Sequence, residues 1–404
     1  KMTFYKGVTI SDVIVGFIGL ALVAIAFSSN LSFRFLIAGG IGIVFIPLFI
    51  TVNGDRLYKI VAYFFKHLVS RKKFRKAQKG ETLKNDVESI EPYERICGNG
   101  IFALKDLRFA GVMEIHPVDF RMLGEFEQNE LIDGALARVL NNVAVGAEAD
   151  IVKLERPLIL DNFIADETQR IVKIAESKEK GELTDKEYEA RVDVIQDRIT
   201  TIDEMNSSSP ILYARYYLVL QSGSEKDLSS QLQHAALALQ SSGIEARILS
   251  NRELAVFIRY SIDSNFDERS LDGVKNYSAH FIPNEVNFRL TTTQQNDKTL
   301  THFVINNYPL RVCNGWGEGL FDIPNTKVVM KMKPVEKIKA IRRIDNAILE
   351  VQTQNRKNHA SDVIERDTHL ESLQRLLLDL QNENDVLFDT TIILTAYDEK
   401  GKNT

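Results

Sequence analysis

The segment closest in composition to a nucleotide-binding loop is the glycine-rich stretch GWGEG at residues 315–319. A P-loop has the pattern G-x-x-x-x-G-K-[ST], in which backbone amides and a lysine hold the phosphates. The glycine-rich stretch does not have this pattern, and Gly401-Lys402, which is followed by Asn403, lacks the leading glycine. We therefore expect no ATP hydrolysis by these residues, and we interpret 315–319 as a tight turn that packs Trp316.

Metal-binding and nucleophilic sites are not indicated by the remaining chemistry-bearing residues. The seven histidines lack metal-ligand spacing, and Cys97 and Cys313 are far apart with no C-x-x-C pair. His116 and His302 adjoin predicted strands, where we expect structural or surface roles. The nucleophile pattern G-x-S-x-G is absent. With only two cysteines a disulfide framework is not expected, which is typical of a reducing cytoplasm.

Two long apolar runs lie near the start of the chain, Val13–Phe27 and Phe35–Val52, with a polar break at 28–34. A helix that spans a membrane needs about 20 mainly apolar residues. About 17 residues suffice at the low end, so the second run is long enough, and the first is long enough only if Thr9–Ser11 extend it. Because backbone groups in hydrocarbon must satisfy their own hydrogen bonds, both runs should be helices. We predict a two-helix transmembrane hairpin over residues 1–54.

Small residues recur in both runs, where they would let the two helix backbones approach closely. Proline is expected to kink the second helix or to lie near its end. The residues predicted to pack the hairpin are Gly16, Gly19, Ala38, Gly39, Gly42 and Pro47. Two other interpretations are buried core helices of a soluble protein and a cleaved signal peptide.

A basic amphipathic segment occupies residues 55–80. Its apolar side chains are spaced by three, one, three and four residues, which places them on one face of a helix. We predict an interfacial helix from Asp55 to about Lys76 that lies on the inner leaflet, held by its apolar face and by anionic lipid. The apolar face comprises Leu57, Ile60, Val61, Phe64 and Leu68. The residues expected to contact lipid headgroups are Arg71, Lys72, Lys73, Arg75 and Lys76.

Charge is unevenly distributed along the chain. The first 80 residues contain 12 basic and 2 acidic side chains, whereas the whole chain has a net charge of −5, so the remainder carries −15. Arg34 is the only basic residue in the break between the apolar runs, and nine basic residues lie between Arg56 and Lys79. The positive-inside rule therefore places both ends of the hairpin in the cytoplasm. The acidic remainder argues against direct nucleic-acid binding.

The rest of the chain is predicted to be α+β. After a linker at 81–97, we expect a first module at 98–265 and a second at 266–404, both of the split βαβ (ferredoxin-like) type. Each contains a long helical hairpin, at 165–206 and at 335–384. In the first hairpin the apolar residues are spaced by four, three, four and three, which is typical of a coiled-coil seam. The predicted seam residues are Tyr188, Val192, Ile195, Ile199 and Ile202.

The second module repeats the order of the first. The segment from Pro157 to Ile211 spans 54 positions, and that from Pro334 to Leu387 spans 53. Each reads as a strand, a helical hairpin and a second strand, which predicts an internal duplication. The first copy continues with a further helix and strand, whereas the second stops at Thr404. We therefore expect the sequence to end inside a domain of a longer chain.

The most specific motif residues surround the glycine-rich stretch: Tyr308-Pro309, Gly315-Trp316, Leu320, and a strand at 328–333 before Pro334. With the paired strands and helical insertions, they resemble the N-terminal part of the VirB-type ATPase of conjugative type IV secretion systems. The two-span hairpin resembles the small inner-membrane subunit of the same systems. Fusions of these two components are known in some conjugation systems, and this chain is similar to such a fusion over most of its length.

The resemblance implies a machine at the bacterial cytoplasmic (inner) membrane that moves DNA or protein between cells. Its implied partners are membrane lipid, further copies of the chain in a hexameric ring, and other channel components. ATP and Mg are implied for the full-length protein, with a P-loop beyond Thr404, so no catalytic, cofactor-binding or metal-binding residue is assigned here. We favour anchoring and assembly as the function. The alternative is a non-enzymatic membrane scaffold or sensor whose helical hairpins bind a partner.

Overall fold

The computed structural model describes most of the chain in two compact units. The first unit comprises residues 1–74 and 287–292, and the second comprises 75–286 and 293–404. The described residues are 3–5, 8–28, 33–52, 55–76, 86–143, 147–157, 160–208, 212–263, 266–274, 276–277, 281, 283–296, 298–305, 307–309, 315–354, 360–382 and 385–399. Gly401, Lys402, Asn403 and Cys313 therefore lie outside the described residues, as does most of the predicted polar break.

The first unit is mainly helical, because its sequence consists largely of the apolar runs and the amphipathic segment. Among its described residues, two short antiparallel strand pairs, Thr3–Tyr5 with Val8–Thr9 and Thr51–Val52 with Asp55–Arg56, accompany three helices. A 3-10 turn, Pro47–Phe49, follows the second helix. The elements are β1 (Thr3–Tyr5), β2 (Val8–Thr9), α1 (Ile10–Ser28), α2 (Arg34–Phe45), β3 (Thr51–Val52), β4 (Asp55–Arg56) and α3 (Leu57–Val69).

The second unit is built from long strands and helices. Its elements are β6 (Tyr93–Gly98), β7 (Ile101–Leu104), β8 (Phe109–His116), α4 (Glu125–Asn129), α5 (Ala137–Asn141), β9 (Glu148–Pro157), α6 (Asp161–Glu179), α7 (Asp185–Ser208), β10 (Leu212–Ser222), α8 (Glu225–Ser241), β11 (Glu245–Ile248), α9 (Asn251–Ile262), β13 (Thr293–Gln295), β14 (Lys298–Val304), α10 (Glu318–Phe321), β15 (Thr326–Pro334), α11 (Lys337–Gln354), α12 (Ala360–Asn382) and β16 (Phe388–Glu399). Two further strands, β5 (Lys73–Arg75) and β12 (Glu285–Phe288), contain the residues at which the chain passes between the units. A π-helical segment, Glu130–Leu136, connects α4 and α5.

A large antiparallel sheet forms the centre of the second unit. Its strands follow the order β13, β14, β16, β15, β9, β10, β8, β7 and β6, and β11 pairs with the end of β8. The α+β class predicted from the sequence is therefore confirmed. The two predicted modules, 98–265 and 266–404, contribute to one continuous sheet, because β9 of the first pairs directly with β15 of the second. The last residues of the predicted linker belong to β6.

The strand pairing has the same register in both halves of the sheet. In the first half Pro157 of β9 pairs with Leu212 of β10, and in the second half Pro334 of β15 pairs with Phe388 of β16. These are the positions that the predicted repeat makes equivalent. Where the halves meet, Val152 pairs with Val329, its own equivalent. A local two-fold relation between the halves thus passes through this pair, which supports the predicted duplication.

Helices cover both faces of the first half. The apolar stripe of α8 packs on one face of the sheet with Leu228 and Leu232, and α9 packs on the other with Leu254 and Ile258. Side-chain caps begin both helices: Ser224 accepts a hydrogen bond from the amide of Asp227, and the Ser250 side chain forms a capping box with its third helical residue. These caps position the two helices immediately after β10 and β11.

The second half has smaller apolar clusters. Leu320 and Phe321 of α10 pack with Val328 and with residues of β16 on one face of the sheet. The hairpin of α11 and α12 has a core of its own, which includes Ala340 and Leu380. The two halves therefore share a strand arrangement but differ in how much of it is covered.

Candidate membrane-anchoring site

The first unit contains one helix that is long and apolar enough to cross a membrane, within the residues that the structure describes. The apolar part of this helix is Ser11–Ser28 of α1. A signal sequence near the N-terminus of a chain can be equally long and apolar. Most of its apolar side chains are exposed: Phe17 is 75% and Leu20 70% exposed. Such exposure is opposite to that of a core helix in a soluble protein, whose apolar residues are buried.

Close packing of α1 against α2 depends on small residues. The ring of Phe45 lies where a side chain on Gly19 would begin, with its Cδ1 atom 2.7 Å from the position of an added Cβ. Gly16 faces Phe49, and Ala38 of α2 is buried. Gly39 and Gly42 are also in α2, but no atom lies within 4 Å of their Cβ positions in the described structure.

The second apolar run forms a shorter helix than predicted. We expected a helix over Phe35–Val52, whereas α2 ends at Phe45 and a 3-10 turn begins at Pro47. Proline has no amide hydrogen and clashes with the preceding turn, so the helix stops just before it. The apolar helical stretch, Phe35–Phe49, is therefore shorter than the apolar part of α1.

A buried carboxylate connects the beginnings of α1 and α3. The Tyr58 hydroxyl donates a hydrogen bond to Asp12 Oδ1 at 2.9 Å, and Arg56 Nε lies 3.6 Å from the same oxygen. Arg56 also donates to the carbonyl of Phe49 at 2.8 Å. Sequence reasoning missed this site. The available signal was that Asp12 is the only acidic residue before residue 55.

The predicted apolar face lies along α3. The side chain of Leu57 is half-buried, whereas Ile60, Val61, Phe64 and Leu68 are exposed on the described structure. A helix with these residues on one side and lysines on the other has the composition of an interfacial helix. The exposed row gives the first unit a second apolar surface besides α1.

The predicted helix to Lys76 is wrong, because α3 ends at Val69 and Ser70 has extended backbone angles. The basic residues that follow lie in an extended segment, with Lys73 and Arg75 in β5. Arg71 Nε donates to the carbonyl of Lys73 at 3.1 Å. All five residues predicted to contact headgroups are exposed or half-exposed: Arg71, Lys72, Lys73, Arg75 and Lys76. Arg75 also pairs with Glu285, with 3.5 Å between charged atoms.

The predicted seam residues lie on the inner side of α7. Ile195 is buried, and Tyr188, Val192, Ile199 and Ile202 are half-buried. The turn before α7 contains Gly181 at φ +76°, a left-handed conformation that favours glycine. At this end the Lys178 ammonium lies 4.3 Å from the centre of the Tyr188 ring and pairs with Asp185 at 3.0 Å.

Two of the motif residues of the second half, Tyr308 and Trp316, are in contact. The rings of Tyr308 and Trp316 are 5.9 Å apart, and the Tyr308 hydroxyl accepts a hydrogen bond from the amide of Ile392 at 3.0 Å. Gly317 has φ +87°, so the glycine-rich stretch does form a tight turn. Trp316 remains about one-third exposed beside it. This hydrogen bond attaches Tyr308 to β16.

Ionisable groups near the join of the two halves have shifted pKa values. Burial raises the pKa of Asp150 to about 6, although Lys331, the residue paired with it across β9 and β15, acts in the opposite direction. Burial lowers the pKa of Lys327 to about 8, and its ammonium donates to the carbonyl of Ser261 at 3.0 Å. Both shifts favour the neutral form, because a low-dielectric environment disfavours charge.

A buried ion pair lies farther along β9. Arg156 pairs with Glu268 and also donates to the Tyr217 hydroxyl at 3.2 Å. Burial alone would lower the pKa of Arg156, but Tyr217 and Glu268 together raise it above its ordinary value. The pair connects the sheet to the segment after α9.

Metal ligation is not indicated in the part of the chain that the structure describes. No group of three or more histidine, cysteine, aspartate or glutamate side chains is arranged to hold an ion there. His302 Nδ1 lies 3.0 Å from Thr395 Oγ1, and burial lowers its pKa, with Lys327 acting in the same direction. His116 is exposed at the end of β8.

Among known proteins, no family model matches the chain, and no curated protein matches it at a significant level. The case for function therefore depends on the residues and geometry described above.

Proposed function

We propose that this chain is the membrane-anchoring and assembly portion of a type IV secretion (conjugation) ATPase of the bacterial cytoplasmic membrane. The observation that carries the proposal is the exposed apolar surface of α1. Transfer of a large apolar side chain out of water is favourable by about 1.5–3 kcal/mol, so a lipid environment would stabilise this surface. The exposed apolar residues on α3 form a second surface that lipid would stabilise in the same way.

In this proposal α1 and α2 form a transmembrane hairpin with both ends in the cytoplasm, and α3 lies on the inner leaflet. The contact of Gly19 with Phe45 supports close pairing of α1 and α2. The shorter second pass would be accommodated by local thinning of the bilayer. Arg71, Lys72, Lys73, Arg75 and Lys76 would contact anionic headgroups.

The assignment to a secretion ATPase is supported by three of the residues that carry the family resemblance: the rings of Tyr308 and Trp316 are in contact, and Leu320 packs with Val328. The proposed partners are lipid, further copies of the chain, and other channel components, with ATP and Mg as cofactors of the complete ATPase. The ferredoxin-like description of the two halves belongs to the same proposal. It is supported by their equivalent strand pairing around each helical hairpin.

Membrane extraction tests the anchoring role. Leu20→Arg introduces a charge that persists at alkaline pH at an exposed position of α1, where insertion would lose about 2.5–3.5 kcal/mol. We expect the natural chain to remain in the membrane pellet at alkaline pH and the variant to be extracted. Leu107→Arg is the matched control, because Leu107 is exposed in the second unit. Extraction of the natural chain, or equal retention of the α1 variant, would contradict the anchoring role.

A protease-protection assay tests the hairpin. In sealed vesicles with the cytoplasmic side inward, tags at both ends should resist external protease. Digestion of one tag only would indicate a single span.

A transfer assay tests the assignment to secretion. In donor cells, Trp316→Ala should lower the frequency of substrate transfer at unchanged protein level, whereas Met122→Ala, at another exposed apolar residue, should not. Normal transfer by the Trp316 variant, or by cells that lack the protein, would instead favour the scaffold or sensor alternative.

A further inference from the structure

The outer face of α7 is acidic. Glu189, Asp193 and Asp197 follow one another at four-residue spacing, so they form one ridge along the helix. All three are exposed, and none forms an ion pair with another described residue. Val194, which is 53% exposed, lies beside them. We call these four residues the acidic stripe.

The outer face of α11 is basic near its start. The first seven residues of this helix, 337–343, include four basic and no acidic side chains. Lys339, Arg342 and Arg343 are exposed there, together with Ile338, which is 58% exposed. We call these four residues the basic stripe. Lys339 pairs with Glu336 and Arg343 with Asp389, but both pairs are solvent-exposed, and such pairs are weak and exchangeable.

The sheet topology separates the two stripes. The first hairpin follows the end of β9 at Pro157, and the second follows the end of β15 at Pro334. Because β9 and β15 are antiparallel neighbours, they run in opposite directions, and their last residues lie at opposite ends of the strand pair. The acidic and basic hairpins therefore begin at opposite ends of the same unit.

We propose that the acidic stripe of one copy docks on the basic stripe of the next copy, which joins the chains head to tail. The partner is a second copy because both complementary surfaces are present on one chain, each with an exposed apolar residue beside the charges. A head-to-tail contact uses two different surfaces, so it leaves one of each free and can extend to a ring or a filament. This inference rests on the assembly role proposed above and names the surfaces that serve it.

Charge reversal on one helix tests the contact. In the full chain, purified in a non-ionic detergent, Glu189→Lys/Asp193→Lys/Asp197→Lys should raise the concentration at half-association about tenfold or more, as measured by sedimentation. The matched control reverses three exposed glutamates elsewhere in the second unit, Glu94→Lys/Glu125→Lys/Glu245→Lys, with the same change in net charge. The control should associate like the natural chain.

Mixing two variants distinguishes a lost contact from misfolding. The second variant, Lys339→Glu/Arg342→Glu/Arg343→Glu, should also fail to associate alone. An equimolar mixture of the two should recover association, because the new basic face of α7 then meets the new acidic face of α11. Raising the salt concentration from about 0.05 M to about 0.5 M should weaken association of the natural chain, since screening shortens the range of exposed charges.

Three results would overturn the inference: self-association of the α7 variant at natural strength, no recovery in the mixture, or loss of association in the control. Binding of α11 to anionic vesicles by a chain that remains monomeric would also overturn it, because lipid would then be the partner. A monomeric chain that still resists membrane extraction would leave the anchoring proposal intact. Extraction of a chain that associates through the stripes would contradict anchoring alone.

Discussion

The two halves of the sheet have the same strand pairing but place different chemistry at equivalent positions. Arg156 of β9 is buried in an ion pair, whereas its equivalent in β15, Lys333, is 61% exposed and lies 3.5 Å from Glu148. Asp150 of β9 corresponds to Lys327 of β15, so a buried acid in one half corresponds to a half-buried base in the other. The pairing register thus tolerates opposite charges, and the elements that cover each half determine which groups are buried.

The largest difference between the halves is expected at Arg156. Glu268→Ala would leave its guanidinium buried without its carboxylate, and removal of one partner from a buried pair costs about 3–5 kcal/mol. Lys333→Ala, at the equivalent exposed position, should change the free energy of unfolding by less than about 0.5 kcal/mol. Urea denaturation of the full chain in detergent, followed by circular dichroism, measures both. Equal losses would show that burial does not distinguish the halves.

A smaller effect should come from the packing of α8, which has no counterpart among the described residues of the second half. Gly111 of β8 lies against Leu232, whose Cδ1 atom is only 2.3 Å from the position of an added Cβ. Gly111→Ala should therefore destabilise the protein by about 1–3 kcal/mol through overpacking.

Gly134→Ala is the control for this substitution. Its nearest neighbour, Glu130 Cγ, is 3.5 Å away, and alanine favours helical structure, so no loss is expected. Similar losses for the two variants would indicate that the approach of α8 to β8 is not tight.

The smallest expected effect is a difference in pH dependence at Asp150 and Lys327. The pKa of Asp150 is raised from 3.8 to about 6 on folding, so stability should fall as the pH rises through this interval. Asp150→Asn removes the titrating carboxyl and therefore the loss of stability. The free energy of unfolding of this variant should exceed that of the natural chain by about 1–2 kcal/mol at pH 8, and the two should be nearly equal at pH 4.

The change of stability with pH has the opposite sign at Lys327, whose pKa is lowered from 10.5 to about 8 on folding. Stability should rise as the pH increases through this interval, so the advantage of Lys327→Met should be greatest below pH 8. Denaturation profiles between pH 4 and pH 10 compare the two variants. Parallel profiles would contradict opposite roles for the two positions.

Local patterns predicted the helical hairpins and the strands around them, because seam spacing and turn residues are short-range signals. They did not reveal that β9 and β15 join the two modules, since strand pairing across 177 residues leaves no trace in local periodicity. The interfacial helix predicted to reach about Lys76 ends at Val69, before the run of basic residues. Charge does not specify backbone conformation, and the chain becomes extended at Ser70.

The candidate anchoring site was predicted in part. Gly19 and the apolar face of α3 followed from residue size and spacing. The contact of Asp12 with Tyr58 did not, because it joins residues 46 positions apart. Hydropathy identifies the second apolar run but does not predict where its helix ends. The helix ends just before Pro47, so α2 is shorter than the apolar run.

The opposite departure of the two hairpins from β9 and β15 has a mechanical consequence. A load applied through both hairpins would pull each strand along its own axis, in opposing directions. Their cross-strand hydrogen bonds, from the pair of Val328 and Lys153 to that of Met332 and Ala149, would share this load in shear rather than open one after another. The centre of the sheet is thus placed to transmit tension between the two hairpins.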